Sequence, residues 1–433
     1  MFVTGRLPLL VALGAIPVVA LSIAGADAWV AAAGWIVGCA VLAGVDAAAA
    51  ASPHTVRVQR DVPRRALLHS RVTATLTLRS PRRLRGRLRD AWQPTAGAAA
   101  SRLHLQLLPD EPQTIAVPLR PRRRGELSSE FVVIRSLGPL GLAGRQGRIA
   151  ARGAVRVLPP FLSRRHLPSR LARLRELDGA TSVLIRGQGT EFDSLRPYVR
   201  GDDVRSIDWR ATARAGTTML RTWRPERDRH VVIVIDTGRT SAARVGDGVR
   251  LDAEMEAALL LAALAVEAGD HVHLLMFDRA VRARVSGVDG DALLPALVDA
   301  MAPVEPTLID TDWDAAFAQI RGLTVRPSLV VLLTAQDEPA AARGFLGSLP
   351  GLAGTAHVLV GTVTDADLTA RVAARATVGE VYRAAATEQT IADADLVAQA
   401  VTRAGAEALA AGPDDLPPRI ADRYLALKAA GRL

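Results

Sequence analysis

A single carboxylate stands at the end of a predicted strand, and it is the residue best placed to hold a ligand or an ion. Residues 231–235 are five consecutive apolar residues, mostly β-branched, which predicts a central parallel strand buried on both faces. Asp236 follows at the carboxyl end, the edge of an open α/β sheet where ligands bind. Thr240 adds a hydroxyl group four residues later. The pattern predicts a binding site at this edge.

A dense block of charge precedes this strand and reads RPYVRGDDVRSIDWRATAR over residues 196–214. Two interpretations stay open for it. In one, its ions form a hydrogen-bonded network that fixes the segment to the following domain, with Tyr198 and Trp209 buried against the sheet. In the other, the same residues form a surface that binds a partner. The residues concerned are Arg196, Tyr198, Gly201, Asp202, Asp203, Arg205, Asp208, Trp209 and Arg214.

The composition argues against several classes of chemistry. Cys39 is the only cysteine, so one chain has no disulfide framework and no cysteine-based zinc site. The eight histidines are scattered, without the i, i+4 spacing of a helical metal site. The sequence also lacks a Gly-x-Ser-x-Gly elbow, a phosphate loop ending in Gly-Lys-Ser/Thr and an HExxH motif. These absences disfavour an enzyme.

Basic charge is concentrated in one stretch of the chain. The 433 residues carry a formal net charge of +10, but residues 51–160 contain 21 arginines and 6 acidic residues, which is +15 and leaves −5 for the rest. Lys428 is the only lysine, so the arginine excess also fits a GC-rich genome. A basic stretch beside a membrane favours the anionic cytoplasmic leaflet. Nucleic acid is the less favoured partner, because the arginines lack interleaved exposed aromatic residues.

Two apolar segments open the chain and predict a transmembrane hairpin over residues 1–52. They cover residues 7–25 and 28–50, each close to the about 20 residues that cross a bilayer as a helix. Arg6 precedes the first, and the arginine-rich stretch follows the second, so the positive-inside rule places both ends and the rest of the chain in the cytoplasm. A cleaved signal peptide is the alternative for the first segment, and it would place the large domain outside.

The rest of the chain divides by its patterns into four parts. Short alternating runs, separated by turns rich in Pro, Gly and Arg, predict an antiparallel β-sandwich over residues 53–160. Residues 161–225 predict a partly helical linker that includes the charged block. Alternating strand and helix patterns predict a mostly parallel, doubly wound α/β domain over residues 226–385. Residues 386–433 predict a helical tail. The predicted fold class is therefore multidomain.

The charged block and the strand that ends at Asp236 closely resemble the bacterial family catalogued as domain of unknown function 58. The order of parts is similar over nearly the whole chain: two membrane helices, a β-sandwich with an Arg-Gly turn and a Pro-Leu-Gly-Leu run, the charged block, and a von Willebrand factor A-like domain. The resemblance implies a protein of the bacterial cell membrane with most of the chain in the cytoplasm. It also implies a MoxR-type AAA+ ATPase and transglutaminase-like membrane proteins as partners, and no established biochemical activity.

The resemblance also implies a metal site. A von Willebrand A fold usually carries a metal-ion-dependent adhesion site, in which an Asp-x-Ser-x-Ser turn, a threonine and a second aspartate surround Mg²⁺. Asp236 and Thr240 match the first and third positions of the turn, and Thr311 matches the loop threonine. Gly238 replaces the middle hydroxyl residue, and Asp337 comes two residues late for the second aspartate.

Two interpretations of this partial set stay open. Asp236, Thr240, Thr311 and Asp337 could hold Mg²⁺ with several waters, since this cation takes oxygen ligands, and the aspartates on either side of Thr311 could substitute. Alternatively, Asp236 caps the turn or helix that follows it.

We therefore expect a membrane-anchored, non-enzymatic module that docks a protein partner through a degenerate metal-ion-dependent adhesion site, with or without Mg²⁺. The alternative is a metal-dependent hydrolase of unknown substrate that uses Asp236. We predict no catalytic residue and no other cofactor.

Overall fold

The computed structural model describes the whole chain apart from residues 99–101, 185–190, 201, 225–228, 247, 325 and 366. It divides into two units, Met1–Leu158 and Pro159–Leu433. Helices and sheets are present in both, so the fold class is mixed α/β and multidomain, as predicted.

Two apolar helical segments open the first unit, as the sequence predicts. The first is interrupted at Gly14, because Pro17 has no N–H to donate to the carbonyl of Leu13, but its two parts together cover Arg6–Ile23. Both segments are long and apolar enough to cross a membrane and are exposed over most of their length, which suggests membrane association. The helices are α1 (Arg6–Leu13), α2 (Ala15–Ile23) and α3 (Ala28–Ala49).

Among its described residues, the first unit has a six-stranded sheet and a three-stranded sheet. Its strands are β1 (Phe2–Val3), β2 (Arg57–Asp61), β3 (Arg65–Leu67), β4 (Val72–Arg79), β5 (Leu84–Asp90), β6 (Leu103–Leu107), β7 (Gln113–Leu119), β8 (Gly125–Leu137) and β9 (Ala143–Leu158). The larger sheet has the order β1-β9-β8-β5-β6, with β3 also paired to β9, and the smaller has the order β2-β4-β7.

One buried cluster joins the two sheets. Leu76 of β4 and Val117 of β7 belong to it, as do Ile134 of β8 and Val155 of β9. The cluster consists mainly of Leu, Val and Ala, in keeping with the low aromatic content of the sequence. Strand β5 lies in the larger sheet but was not predicted, because its exposed positions are arginines within an arginine-rich stretch.

Asp46 joins the second apolar helix to the larger sheet. It is 1% exposed, and its carboxylate accepts hydrogen bonds from the backbone N–H groups of Leu140 (2.7 Å), Leu142 (2.7 Å) and Ala143 (2.9 Å). Leu140 and Leu142 belong to the Pro-Leu-Gly-Leu turn between β8 and β9, and Ala143 is the first residue of β9. Gly138 allows the close approach, since a Cβ atom there would lie 2.3 Å from the Asp46 carbonyl oxygen. The Pro-Leu-Gly-Leu turn therefore connects β8 to β9 and binds the end of α3.

Strands and helices alternate through much of the second unit. Its helices are α4 (Leu167–Leu184), α5 (Trp209–Ala215), α6 (Arg250–Glu267), α7 (Leu293–Met301), α8 (Trp313–Arg321), α9 (Arg343–Ala353), α10 (Leu368–Ala373), α11 (Val378–Arg403) and α12 (Leu416–Ala429). Its strands are β10 (Glu191–Pro197), β11 (Met219–Arg224), β12 (His230–Asp236), β13 (Arg244–Val245), β14 (Gly248–Val249), β15 (His271–Phe277), β16 (Val281–Val285), β17 (Pro327–Leu333), β18 (His357–Val363) and β19 (Glu407–Ala411).

The large sheet of this unit has the order β16-β15-β12-β17-β18-β19. All its neighbouring strands are parallel except β16, which is an antiparallel edge strand. Along β12, Val231, Ile233 and Ile235 belong to the buried cluster that contains α6 and α12, whereas Val232 and Val234 belong to the cluster that contains α8 and α9. Helices therefore cover both faces of the sheet, as the alternating pattern predicts.

The prediction of a purely helical tail is wrong at β19. This strand pairs in parallel with β18 and forms the edge of the large sheet. Its sequence, EALAA, consists of good helix formers, so tertiary pairing overrides local propensity here. Helix α12 then packs in the core: Tyr424 donates a hydrogen bond to the buried carboxylate of Asp270 (2.5 Å), as does Lys428 (3.1 Å).

Helix α4, which was predicted within the linker, packs in the second unit. Leu174 is buried in the cluster that contains α6 and α12. Arg170 also forms an ion pair of 2.7 Å with Asp422 of α12. These contacts make α4 an integral helix of that unit.

We expect the substitution Asp46→Asn to destabilise the chain by about 2–3 kcal/mol, because buried N–H groups lose a charged acceptor and the amide nitrogen faces other donors. Thermal unfolding of the full chain in an uncharged detergent measures this. Asp27→Asn is the matched control: Asp27 is exposed, caps the other end of α3, and asparagine caps equally well. Equal unfolding midpoints for wild type and Asp46→Asn would contradict the prediction.

Candidate functional site

Asp236 lies at the carboxyl end of β12, and four protein donors surround its carboxylate. Oδ1 accepts hydrogen bonds from the backbone N–H of Gly238 (2.8 Å) and the hydroxyl of Thr311 (2.5 Å). Oδ2 accepts from the hydroxyls of Thr334 (2.7 Å) and Thr240 (3.2 Å). The structure thus brings together three of the predicted site residues, Asp236, Thr240 and Thr311. It also shows that Asp236 caps its own turn through Gly238.

Thr334 is a member of this site that the sequence reasoning missed. It directly follows β17, the neighbour of β12, and is fully buried. Its hydroxyl also accepts a hydrogen bond from the side-chain amide of Gln336 (3.0 Å). The resemblance implies a Thr-Asp pair after this strand, and Thr334 matches its threonine, but only the aspartate was expected as a site residue.

Gly238 leaves room for Thr311. A Cβ atom at Gly238 would lie 2.4 Å from the Thr311 hydroxyl oxygen and 3.0 Å from Asp236 Oδ1. A serine at this position could not keep the observed arrangement. The glycine that removes one expected hydroxyl therefore permits another to bond directly to Asp236.

Asp337 does not join the cluster around Asp236. Its carboxylate accepts a hydrogen bond from Arg250 Nη1 at 3.0 Å, and the same nitrogen donates to the Thr240 carbonyl at 3.1 Å. The aspartates on either side of Thr311 have other partners too: Asp310 pairs with Arg239 at 3.0 Å. Asp312 caps α8 through the N–H of Ala315.

A second buried carboxyl group lies beneath Asp236. Ser241 donates to the Asp236 carbonyl oxygen (2.7 Å) and to Glu254 Oε2 (3.2 Å). Glu254 is fully buried, and within the described structure its Oε1 has no hydrogen-bond partner.

The surroundings of Glu254 and Asp236 affect the pKa values of the two carboxyl groups differently. Burial, and then the charge of Asp236, raise the pKa of Glu254 well above its usual range. Burial also raises the pKa of Asp236, but hydrogen bonds from Thr311, Thr334, Gly238 and Thr240 oppose this effect. Asp236 has four donors and Glu254 has one, so we assign the proton to Glu254 and the negative charge to Asp236.

Asp278, at the end of the adjacent strand β15, holds the loops next to Asp236. It is fully buried and accepts from Thr307 (2.9 Å), Thr237 (3.3 Å) and Arg282 (2.7 Å). Burial raises the pKa of Asp278, but the hydrogen bond from Arg282 and others outweigh burial and lower it. Asp278 therefore joins the turn after β12 to the loop that leads towards Thr311.

A cavity of about 280 Å³ opens beside Asp236. Its lining residues are Asp236, Arg239, Thr240, Asp310, Thr311, Asp312, Trp313, Asp314, Gln336, Ala341, Gly344 and Phe345. Among the described residues, no group of three or more His, Cys, Asp or Glu side chains could hold a metal ion. The cavity therefore offers charged and hydroxyl groups for contact with a ligand or a protein.

The charged block forms a small substructure of β10, β11 and α5. Its described ion pairs include Arg196 with Asp202 (2.7 Å) and Arg221 with Asp208 (2.8 Å). Asp208 also caps α5, and Asp203 caps the short 3₁₀ turn before it. Gly201 lies outside the described residues. These contacts lie within the substructure. The predicted ion network is therefore partly present, but it stabilises a local turn rather than fixing the segment to the following domain.

The expected burial of Trp209 is wrong, since this residue is 72% exposed. Tyr198 is half-buried, and Leu220 is the buried apolar residue of the block. A two-stranded sheet with a seven-residue helix has little volume in which to bury a second large side chain. Arg205 and Arg214 are exposed and form no ion pair within the described block. The block therefore keeps an exposed face.

We expect the stability of the wild-type chain to fall as pH rises above the usual range of a glutamate, because the folded state keeps the proton on Glu254 and the unfolded state releases it. The Glu254→Gln side chain cannot ionise, so the unfolding midpoint of this variant relative to wild type should rise from pH 5 to pH 8. Thermal unfolding of the detergent-solubilised chain at both pH values measures this. Glu267→Gln, at the exposed end of the same helix, is the control and should keep the wild-type profile. A constant difference between Glu254→Gln and wild type would count against the assignment.

Comparisons with curated proteins and with solved structures assign no function to this chain. No curated protein matches the chain. A CARDB domain from Pyrococcus furiosus, crystallised in complex with di-metal ions, is 11% identical, with 24% of this chain and 86% of that chain covered and a TM-score of 0.19. Proximal thread matrix protein 1 from the mussel byssus is 12% identical, with 47% of each chain covered and a TM-score of 0.27. Neither similarity identifies the fold or the function.

A family model described as "Protein of unknown function DUF58" matches residues 194–372. This range includes the charged block, the strand that ends at Asp236 and the residues that bond to its carboxylate. The match supports the DUF58 family, whose function is unknown, for this part of the chain.

Proposed function

We propose that this chain is a membrane-anchored, non-enzymatic protein-interaction module. In this proposal the first unit is a membrane hairpin followed by a β-sandwich, and the second is a von Willebrand factor A-like domain. The von Willebrand factor A-like assignment is supported by the α/β sheet, which helices cover on both faces and whose central strand β12 ends in a carboxylate. The β-sandwich assignment is supported by the two sheets of the first unit, which share one buried core.

The charged rim around the Asp236 cavity is the observation that carries the docking proposal. Arg239 and Asp310 pair at 3.0 Å, with 55% and 73% of their side chains exposed. Trp313 and Phe345 line the same cavity. Both aromatic side chains are buried in the core beneath the cavity, so the surface open to a partner consists of the charged rim. Exposed charges of both signs suit recognition of a protein surface, where arginine is enriched among the residues that contribute most to binding. The proposed partner is a MoxR-type AAA+ ATPase or another membrane protein such as a transglutaminase-like protein.

The residues present do not fit a tightly bound Mg²⁺. A carboxylate accepts about four hydrogen bonds, and four donors already surround Asp236. Gly238 brings no hydroxyl group, and Asp337 is held by Arg250. The hydroxyls of Thr240 and Thr311 would be the main remaining protein ligands, and Mg²⁺ requires near-octahedral geometry. We therefore propose that the degenerate adhesion site docks its partner without a tightly held metal.

Charge reversal at the rim tests the docking surface. We expect Asp310→Arg to weaken binding of a purified MoxR-type ATPase to the full chain in detergent at least tenfold, because it breaks the pair with Arg239 and reverses the local charge. Surface plasmon resonance measures the affinity. Asp289→Arg is the matched control, since Asp289 is 60% exposed and paired with His271, which begins β15 at the opposite end of the sheet.

Two outcomes would contradict the proposal. Equal affinities for wild type and Asp310→Arg would exclude the rim as the docking surface. Binding that requires MgCl₂ and disappears with EDTA would reject the metal-free form and favour the alternative of a metal-dependent site, including a hydrolase.

The proposed topology places both ends of the hairpin and the carboxyl terminus in the cytoplasm. Arg6 at the start of α1 and the arginine-rich strands after α3 support it through the positive-inside rule. We expect a reporter that is active only in the cytoplasm to be active when it is fused after Leu433. Alkaline phosphatase activity at this position, which requires export, would instead favour a cleaved signal peptide.

A further inference from the structure

One exposed face of the six-stranded sheet in the first unit carries arginines on adjacent strands. Arg87 of β5 lies directly opposite Arg135 of β8. Val133 of β8 lies opposite both Arg89 of β5 and Arg148 of β9. All four arginine side chains are exposed. Like charges directly opposite on neighbouring strands are unfavourable, so this arrangement favours an anion between them.

Among the residues that the structure describes, the lining of the cavity on this face contains no acidic residue. Its volume is about 310 Å³, and its lining residues are Arg87, Leu88, Arg89, Ala91, Arg102, Phe131, Val133, Arg135, Gln146 and Arg148. Arg135 donates to the Gln146 side chain (2.6 Å), and Arg148 lies over the Phe131 ring at 5.3 Å. Among the described residues, none of these arginines has a carboxylate partner. The groove is therefore an uncompensated cluster of guanidinium groups on an apolar floor.

The same face continues to the start of the first apolar helix. Phe2 and Val3 form β1, an edge strand that pairs with β9, and Arg135 lies over the Phe2 ring at 5.2 Å. A second cavity, of about 400 Å³, includes residues 2–6 together with Arg87 and Arg135 in its lining. Helix α1 begins at Arg6, and the end of α3 is bound to the same sheet through Asp46. The start of the first apolar segment thus lies beside Arg87 and Arg135, and the end of the second is held by the turn that follows β8, the strand that carries Arg135.

We propose that this arginine face binds the phosphate groups of anionic lipid headgroups in the leaflet next to the two helices. The inference rests on the membrane anchoring proposed above, and it assigns the first unit a ligand that is independent of partner docking. Guanidinium groups bind phosphate with paired, charge-assisted hydrogen bonds, and their planar faces and methylene stems suit a bilayer interface.

Position and chemistry favour a lipid over a soluble anion or a nucleic acid. A site that adjoins the ends of two membrane helices meets headgroups at high local concentration. Single-stranded nucleic acid requires exposed aromatic rings for stacking, but Phe2 and Phe131 are covered by Arg135 and Arg148.

The test is binding of short-chain dioctanoyl phosphatidylglycerol to the full chain in dodecylmaltoside, measured by native mass spectrometry and by calorimetric titration. We expect the wild type to bind it, and the double variant Arg87→Gln/Arg135→Gln to bind it at least fivefold more weakly. Arg57→Gln/Arg79→Gln is the matched control, because these two exposed arginines lie opposite each other on the three-stranded sheet. This control should keep wild-type affinity.

Further arms identify the source of the phosphate. Dioctanoyl phosphatidylcholine, inorganic phosphate and a single-stranded RNA oligonucleotide should each bind at least fivefold more weakly than phosphatidylglycerol. Equal lipid binding by the wild type and the Arg87/Arg135 variant would overturn the site. Phosphate or RNA binding as tight as that of phosphatidylglycerol would overturn the lipid assignment.

Two readouts keep these outcomes interpretable. The thermal unfolding midpoint of the Arg87/Arg135 variant should equal or exceed that of wild type, because the substitution removes a like-charge pair from the surface. A lower midpoint together with lost binding would mean damage to the fold and would overturn the assignment of these residues. Failure of the cytoplasmic reporter, by contrast, would reject the proposed cytoplasmic topology whatever the lipid result, although the second apolar segment would still anchor the chain.

Discussion

Buried aspartates that accept hydrogen bonds from distant segments are the interaction on which both units depend. A carboxylate removed from water is stable only where protein donors replace its hydration. Asp236 meets this requirement with hydroxyl groups from residues 4, 75 and 98 positions away in the chain. The turn after β12, the loop before α8 and the residue after β17 are therefore held at one edge of the sheet, and the cavity rim has a defined shape.

The same interaction recurs elsewhere in the described part of the chain. Asp278 joins two loops beside Asp236, and Asp270 at the start of β15 receives hydrogen bonds from α12. Asp46 joins α3 to the turn between β8 and β9. This use has a consequence for function: a carboxylate whose lone pairs are saturated by protein donors stabilises the fold and is less available to a cation. The exposed charges around these centres, Arg239 and Asp310 in one unit and Arg87 and Arg135 in the other, remain available for contact.

Much of the candidate site could be anticipated from local pattern. An apolar β-branched run that ends on Asp236 identifies the carboxyl edge of a central strand, and family resemblance adds Thr240 and Thr311. Thr334 matches the threonine of the Thr-Asp pair that the resemblance implies, but it was not predicted as a site residue because the aspartate of that pair is replaced by Ala335. The exposure of Trp209 was missed for a related reason: a tryptophan within a charged block predicts burial, but the local substructure offers too little apolar volume to cover it. The pairing of Asp337 with Arg250 joins residues 87 positions apart and has no local signature.

The sequence by itself determined the two apolar helices, the alternation of strands and helices around β12 and the concentration of arginine after the helices. These features depend on periodicity and composition within about 20 residues, which local propensity and burial set directly. Only the tertiary structure decided that EALAA is an edge strand, that Asp46 docks onto a Pro-Leu-Gly-Leu turn and that the lone pairs of Asp236 are filled by threonines. Each of these outcomes is a choice of hydrogen-bond partner between residues distant in the chain, and such a choice is made by packing rather than by neighbouring residues.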